Sequence, residues 1–266
     1  MEFQDILYRK SDGVAVITLN RPDVMNALVG VMLEEVMQAL EVARDDDEVR
    51  VVVITGNGRA FCSGAAPGEL AKGRHLGPPS IAERHFAMLQ NIGERPKFLA
   101  ALDKPYIAAI NGAAVGGGLD LAMEADIRIA SERAKFGAGY VRMGVVSPQG
   151  GAWRLQRIVG VAAACELMWG GRIIDAQEAL RLGLISRAMP PDELMPATME
   201  LAQQIARGPA VAVQLAKRLI YCSQEVDLDH ALELAERVTL VAQSTEDAQE
   251  GPRAFLEKRE PVFRGR

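Results

Sequence analysis

Cysteine is scarce: Cys62, Cys165 and Cys222 are the only three in 266 residues, odd in number and without metal-ligand spacing. That argues against a disulfide framework or a metal site and predicts reduced thiols in a cytoplasmic protein. Aromatic residues make up 5% of the chain against 49% hydrophobic, so the expected core is one of Ala, Val and Leu in an α/β protein. A large excess of either charge is also missing. With 30 basic and 35 acidic residues the net charge is −5, and no Lys/Arg cluster offers a groove for nucleic acid. No apolar run is long enough to span a bilayer, so no membrane partner is expected. Met1-Glu2-Phe3 passes into an expected strand without the charged-then-apolar order of a leader. The tail Arg264-Gly265-Arg266 lacks the usual peroxisomal tripeptide. The length suits one large domain, or one domain with a helical appendage.

What is present is glycine at the ends of apolar runs. Residues 106–110 read as a strand, Asn111-Gly112 as a turn, and Gly116-Gly117-Gly118 as the opening of a helix that begins at Leu119-Asp120. The first amides of a helix have no intrahelical partner and lie at its positive end, so an oxygen gaining negative charge is stabilised there. An oxyanion site is the sharp reading, and close packing of helix on sheet is the plain one. A second junction of the same kind favours the first. Residues 50–55 form a β-branched run, followed by Gly56-Asn57-Gly58 and Phe61-Cys62-Ser63-Gly64-Ala65-Ala66, so each junction can supply one amide. The three consecutive glycines do not fit Gly-x-Gly-x-x-Gly, which argues against a dinucleotide-binding turn.

Along the chain, residues 14–19 alternate as a strand and 30–43 carry apolar residues at helical spacing. The acidic run that follows, Asp45-Asp46-Asp47-Glu48, is most simply a solvated helix end. Strand and helix then alternate through 51–55, 83–93, 106–110, the glycine-opened helix and 127–130, which predicts parallel sheet layers covered by helices. Residues 68–79, rich in Gly and Pro, are the expected mobile loop. Beyond Gly183 four helical stretches, 192–207, 209–223, 229–244 and 246–258, follow without convincing strands, with Pro209 expected in the first turn of its helix.

Taken in order, Asn20-Arg21-Pro22-x-x-x-Asn26-Ala27-Leu28, the two glycine junctions, Lys104-Pro105-x-Ile107-Ala108-Ala109-Ile110-Asn111-Gly112, residues 160–187 and the tail Phe255-Leu256-Glu257-Lys258-Arg259 resemble the crotonase superfamily of enoyl-CoA hydratases and isomerases. The resemblance implies an α/β fold made of a spiral of strand-strand-helix units, with a helical C-terminal trimerisation region. It implies a core over residues 1–190 that holds an acyl-CoA, and a helical region over 191–266 for oligomerisation and CoA contacts. A homotrimer or hexamer is then expected, with no cofactor beyond the coenzyme A of the substrate and no metal.

Carried over residue by residue, the resemblance places the amides of Ala65 and Gly117 on the thioester oxygen. Proton transfer next to a thioester passes through an enolate whose charge lies on that oxygen, and one good donor there is worth roughly 3 kcal/mol of barrier. Asp120 stands at the first catalytic glutamate of the hydratases, and dienoyl-CoA isomerases of the family carry aspartate there. Read from the residue alone, it is an acidic side chain favourable to the helix dipole. Tyr140 stands at the second glutamate, either as a proton donor or as an aromatic lining the acyl pocket. A tyrosine near its ordinary pKa of about 10 cannot serve as a carboxylate base. At the position where several isomerases carry an aspartate, the run Val146-Ser147-Pro148-Gln149-Gly150-Gly151 has Pro148 or Gln149 and no base. Glu69, His75 and His85 are further candidates from the loop and the helix behind it, and His230 reads as a surface residue. For CoA, the resemblance implies backbone around Val24, Met25 and Ser63, with Phe255 packing on the nucleotide or pantetheine arm and Lys258 meeting phosphate. Asp23 replaces a lysine common in relatives. The expected activity is that of an enoyl-CoA hydratase/isomerase acting through an enolate in a backbone oxyanion hole. Another isomerase, hydrolase or decarboxylase on the same platform is the enzymatic alternative, and a catalytically impaired CoA-ester-binding relative is the other.

Overall fold

An antiparallel hairpin starts the chain: β1 (Ile6–Ser11) pairs with β2 (Val14–Leu19) from Ile6↔Leu19 to Ser11↔Val14. Its two turn residues, Asp12 and Gly13, both have positive φ, the condition for a tight hairpin turn that matches strand twist. The computed structural model describes residues 3–28, 30–65 and 94–266. In it the strands continue as β3 (Val51–Gly56), β4 (Ala60–Cys62), β5 (Tyr106–Ile110), β6 (Ala113–Val115), β7 (Ile127–Ser131), β8 (Lys135–Gly137), β9 (Ile173–Asp175) and β10 (Arg187–Met189). The helices are α1 (Gly30–Asp45), α2 (Glu94–Ala101), α3 (Gly117–Met123), α4 (Gly151–Val159), α5 (Val161–Gly170), α6 (Ala176–Arg181), α7 (Leu194–Ala206), α8 (Ala210–Cys222), α9 (Leu228–Gln243) and α10 (Asp247–Glu257).

Among the described residues two sheets form, ordered β1-β2-β3-β5-β7-β10 and β4-β6-β8-β9. Pairing is parallel except in the β1/β2 hairpin and between β8 and β9. The continuous apolar run of β3 is what a strand covered on both faces requires. Val52 and Ile54 join the large core that includes Met32, Val36 and Leu40 of α1, while Val51 and Val53 face Leu194, Ala202 and Ala206 of α7. Helix α7 therefore completes the sheet's second face.

Strand and helix pass from one sheet to the other at crowded crossings. Gly112 is needed where β5 leaves for β6, since a Cβ there would lie 2.1 Å from the Arg59 carbonyl oxygen. Asn111 accepts from the Gly56 amide at 3.1 Å and donates to the carbonyl of Gly58 at 2.9 Å. Asn26, fully buried, donates to the carbonyls of Asn57 and Ala60 at 3.0 and 2.8 Å. Asn26 and Asn111 of the sequence motifs thus fasten the loop between β3 and β4.

Three expectations are corrected. Helix α3 starts at Gly117 rather than Leu119, and the short strand β6 precedes it. Its residues Ala-Ala-Val are too few for a periodic signal. A strand, β10, does follow Gly183, where none was expected, because parallel pairing with β7 adds Arg187 to Met189 to the sheet edge. Pro209 caps α8 from outside with ψ 99 and does not sit in its first turn. His230 is exposed, as expected, its amide donating to the Asp227 carboxylate that caps α9. The expected helix over 83–93, the loop over 68–79, and Ala66, Glu69, His75 and His85 lie outside the described residues.

Candidate active site

The two glycine junctions meet. β4 and β6 run parallel, pairing Ala60 with Ala113 and Cys62 with Ala114, so their ends arrive side by side. A Cβ on Gly64 would lie 3.1 Å from the Gly117 nitrogen and 2.6 Å from the Val115 carbonyl, and Gly64 has φ +80. Only glycine allows that approach. Gly118 is pressed still closer, since a Cβ there would stand 2.1 Å from the Cys62 carbonyl oxygen. Gly116 turns the chain into α3 with φ 54 and ψ −122, a conformation open essentially to glycine. Ala65, next to Gly64, forms an isolated parallel bridge with Leu28. The structure thereby brings Gly64, the residue before Ala65, against Gly117, one from each junction.

The CoA candidates Val24, Met25 and Ser63 join this cluster. The Ser63 amide donates to the Met25 carbonyl at 3.0 Å, and Met25 takes the left-handed conformation with φ 54. Val24 and Met25 are exposed. Asp23 lies in the same short 3-10 turn, Pro22–Val24. Phe255 and Lys258 stand elsewhere in the chain, at the end of α10. Phe255 is 83% exposed, and Lys258 makes no ion pair among the described residues.

Asp120 sits in the first turn of α3 and is 3% exposed. Its Oδ2 accepts from two hydroxyls: Tyr140 Oη, on the 3-10 segment Gly139–Met143, and Ser147 Oγ at 2.6 Å. Burial pushes the Asp120 carboxyl above the ordinary carboxylate range, and the hydrogen bonds from Ser147 and Tyr140, with Arg95 and Arg154, pull it partly back. The Tyr140 phenol is raised far above its usual value, first by burial and then by the adjacent Asp120. Its proton therefore stays on the oxygen at any working pH, and Tyr140 is a hydrogen-bond donor. The phenol also faces the glycine junction, since a Cβ on Gly117 would lie 3.8 Å from Tyr140 Oη.

Behind Asp120 a buried ion pair closes the site. Arg95 Nε lies 2.9 Å from Glu124 Oε2, one helical turn beyond Asp120, and the Arg95–Glu124 pair is bidentate. Gly151, at the start of α4, touches the carboxylate from the other side. A Cβ there would come 2.1 Å from Asp120 Oδ1 and 2.6 Å from Ser147 Oγ. Ser147 was no candidate in the sequence. A lone serine between two apolar residues and a proline carries no periodic or motif signal, and only the return of the chain onto α3 places it at Asp120.

This arrangement sets two glycine-rich strand ends beside a protonated phenol that donates to one buried carboxylate. It is competent for moving a proton beside a carbonyl whose oxygen gains charge. Comparison with known proteins agrees. The enoyl-CoA hydratase/isomerase family profile matches residues 9–266. The chain is 39% identical over 260 residues to the short-chain-enoyl-CoA hydratase of Clostridium acetobutylicum, covering 97% of each. It is 37% identical to the 2,3-dehydroadipyl-CoA hydratase of Escherichia coli, covering 98% of this chain and 99% of that one. The crystal structure of an enoyl-CoA hydratase from Bacillus anthracis superposes with a TM-score of 0.90 at 36% identity, over 99% of this chain and 100% of that one. Its crotonase fold, full-length match and hydratase-named relatives together make this chain a member of the enoyl-CoA hydratase/isomerase family, an enzyme acting on CoA thioesters.

Proposed function

We infer that the protein hydrates or isomerises a short-chain enoyl-CoA, with the amides of Ala65 and Gly117 as the oxyanion hole and Asp120 as the group that carries the proton. The observation that carries this reading is the meeting of Gly64 and Gly117 directly beside the buried Asp120. In hydration the oxygen of water bonds to the β-carbon, its proton goes to the α-carbon, and the electron pair of the double bond passes through the thioester oxygen. In isomerisation a proton leaves one carbon and returns to another through the same enolate. In both, the oxyanion hole holds the enolate, and Asp120 alternately accepts and gives the proton. Tyr140 donates to that carboxylate and holds it toward the substrate. Val24, Met25 and Ser63 take the pantetheine arm, while Phe255 and Lys258 meet the nucleotide end. Phe255 and Leu256 are exposed, which suits ligand contact or burial by a neighbouring copy.

The chain works as a homotrimer or hexamer in this reading. Exposed Val141, Met143 and Val146 lie in and beyond the 3-10 segment, and exposed Trp169 sits on α5, which packs against that segment. Apolar side chains gathered beside the site are the surface an oligomer covers. The domain reading follows: residues 1–190 hold the ester, and the helices after them supply intersubunit and CoA contacts. No metal and no cofactor beyond CoA enters the chemistry, and the protein works in the cytoplasm.

A screen of CoA esters, led by crotonyl-CoA for hydration and butyryl-CoA for α-proton exchange in deuterated water, tests the assignment. Asp120→Asn should lower exchange by roughly a hundredfold or more. Tyr140→Phe should cost about tenfold, the worth of one hydrogen bond. If Tyr140→Phe proves the more damaging and Asp120→Asn is nearly silent, Asp120 is a helix-terminus charge and the assignment is wrong.

A further inference from the structure

Ser147 belongs to the loop between the 3-10 segment and α4, and its hydroxyl has two partners. Its Oγ accepts from the Gly151 amide at 2.9 Å and donates to Asp120 Oδ2 at 2.6 Å. A serine hydroxyl has one proton to give; the Gly151 amide can only donate to it and the Asp120 carboxylate can only accept, so that proton points at Asp120. Tyr140 donates to the same carboxylate oxygen, and Oδ1 accepts no hydrogen bond among the described residues. The two oxygens of Asp120 are therefore unequal: Oδ2 is tied by two hydroxyls, while Oδ1 lies against the bare Cα of Gly151.

We propose that Ser147 is a positioning residue for the reaction, which, with Tyr140, ties Asp120 Oδ2 and so fixes the orientation of the carboxylate that takes and returns the substrate proton. This rests on the reading of Asp120 as the acid/base. The glycine at position 151 is part of the device, because only a residue without Cβ lets Oδ1 stand there beside the Ser147 hydroxyl. Hydrogen bonds to the charged form of a buried carboxylate keep it ionised. The ionisable groups facing Asp120 are Tyr140 from the 3-10 segment, Arg95 from α2, Glu124 from α3 itself and Arg154 from α4. All four remain when Ser147 is changed, so the serine's share can be read by itself.

The test compares Ser147→Ala, Ser147→Thr and Ser147→Cys with the unmodified enzyme in crotonyl-CoA hydration and butyryl-CoA exchange across pH. For Ser147→Ala, kcat should fall about tenfold with KM within twofold, and the acid limb of kcat/KM should move to higher pH by about one unit. Ser147→Thr keeps the hydroxyl and should restore both. Ser147→Cys, a weak donor of similar size, should fall between and serves if the alanine variant does not fold. A drop in kcat with an unmoved acid limb, or no recovery with threonine, overturns the proposal and leaves Ser147 a packing residue. Asp120→Asn exchanging butyryl-CoA as fast as the unmodified enzyme overturns the Asp120 reading as well, which separates the two failures.

Discussion

At Gly151 two effects of a single methyl group oppose each other. Alanine is better than glycine in a helix by about 1 kcal/mol, which would stabilise α4. A Cβ 2.1 Å from Asp120 Oδ1 forces the carboxylate aside, and the clash decides. Gly151→Ala is expected to cost at least tenfold in kcat with KM little changed, measured on crotonyl-CoA, and unchanged kcat would mean Asp120 tolerates displacement. Asp120 itself should make the protein less stable. Its folded pKa is raised, so the folded state binds the proton more tightly than the unfolded chain does. The resulting stabilisation is complete below the unfolded pKa and is lost as pH rises through the folded one. At pH 7 the buried charge is therefore a net cost, and Asp120→Asn should raise the melting temperature there while activity collapses. A lower melting temperature at pH 7 would show that the hydroxyl partners outweigh burial.

Among elements, the Lys104-Pro105 pair of the sequence motif turns out to serve a helix end. Lys104 is buried, and its Nζ donates to the carbonyls of Ala43 and Asp46 at 2.7 Å each, capping the C-terminus of α1. A cation placed on the last carbonyls of a helix is worth up to about 2 kcal/mol when partly buried. Lys104→Met should lower the melting temperature by several degrees with kcat/KM on crotonyl-CoA unchanged. A large loss of kcat/KM in a folded variant would give Lys104 a role at the site that its contacts do not show. The acidic run at the end of α1 is solvated, with Asp47 and Glu48 exposed. Its ladder of contacts adds Lys10 to Asp46 and Glu48 on the surface, where such pairs contribute little.

For the whole molecule, the apolar residues left on the surface set the next expectation. Trp169 is 76% exposed and Val146 75%, beside the segment that carries Tyr140. Sedimentation at micromolar concentration should give three or six times the mass of the chain, and a monomer would sink the oligomer. The apolar runs of β3 and β5, the alternation of β2 and the four C-terminal helices were legible in the sequence, because each is a continuous or periodic pattern longer than a few residues. So were the two glycine junctions and the motif asparagines, since tight chain crossings demand those residue types. Sequence pattern could not show that Asn26 and Asn111 fasten the loop around Ala60, that Gly64 lies against Gly117, or that β10 extends the sheet. Those facts depend on segments far apart in sequence being packed together. Ser147 is the clearest case. Nothing local marks it, and its bond to Asp120 exists because α3, the 3-10 segment and α4 converge on one buried carboxylate.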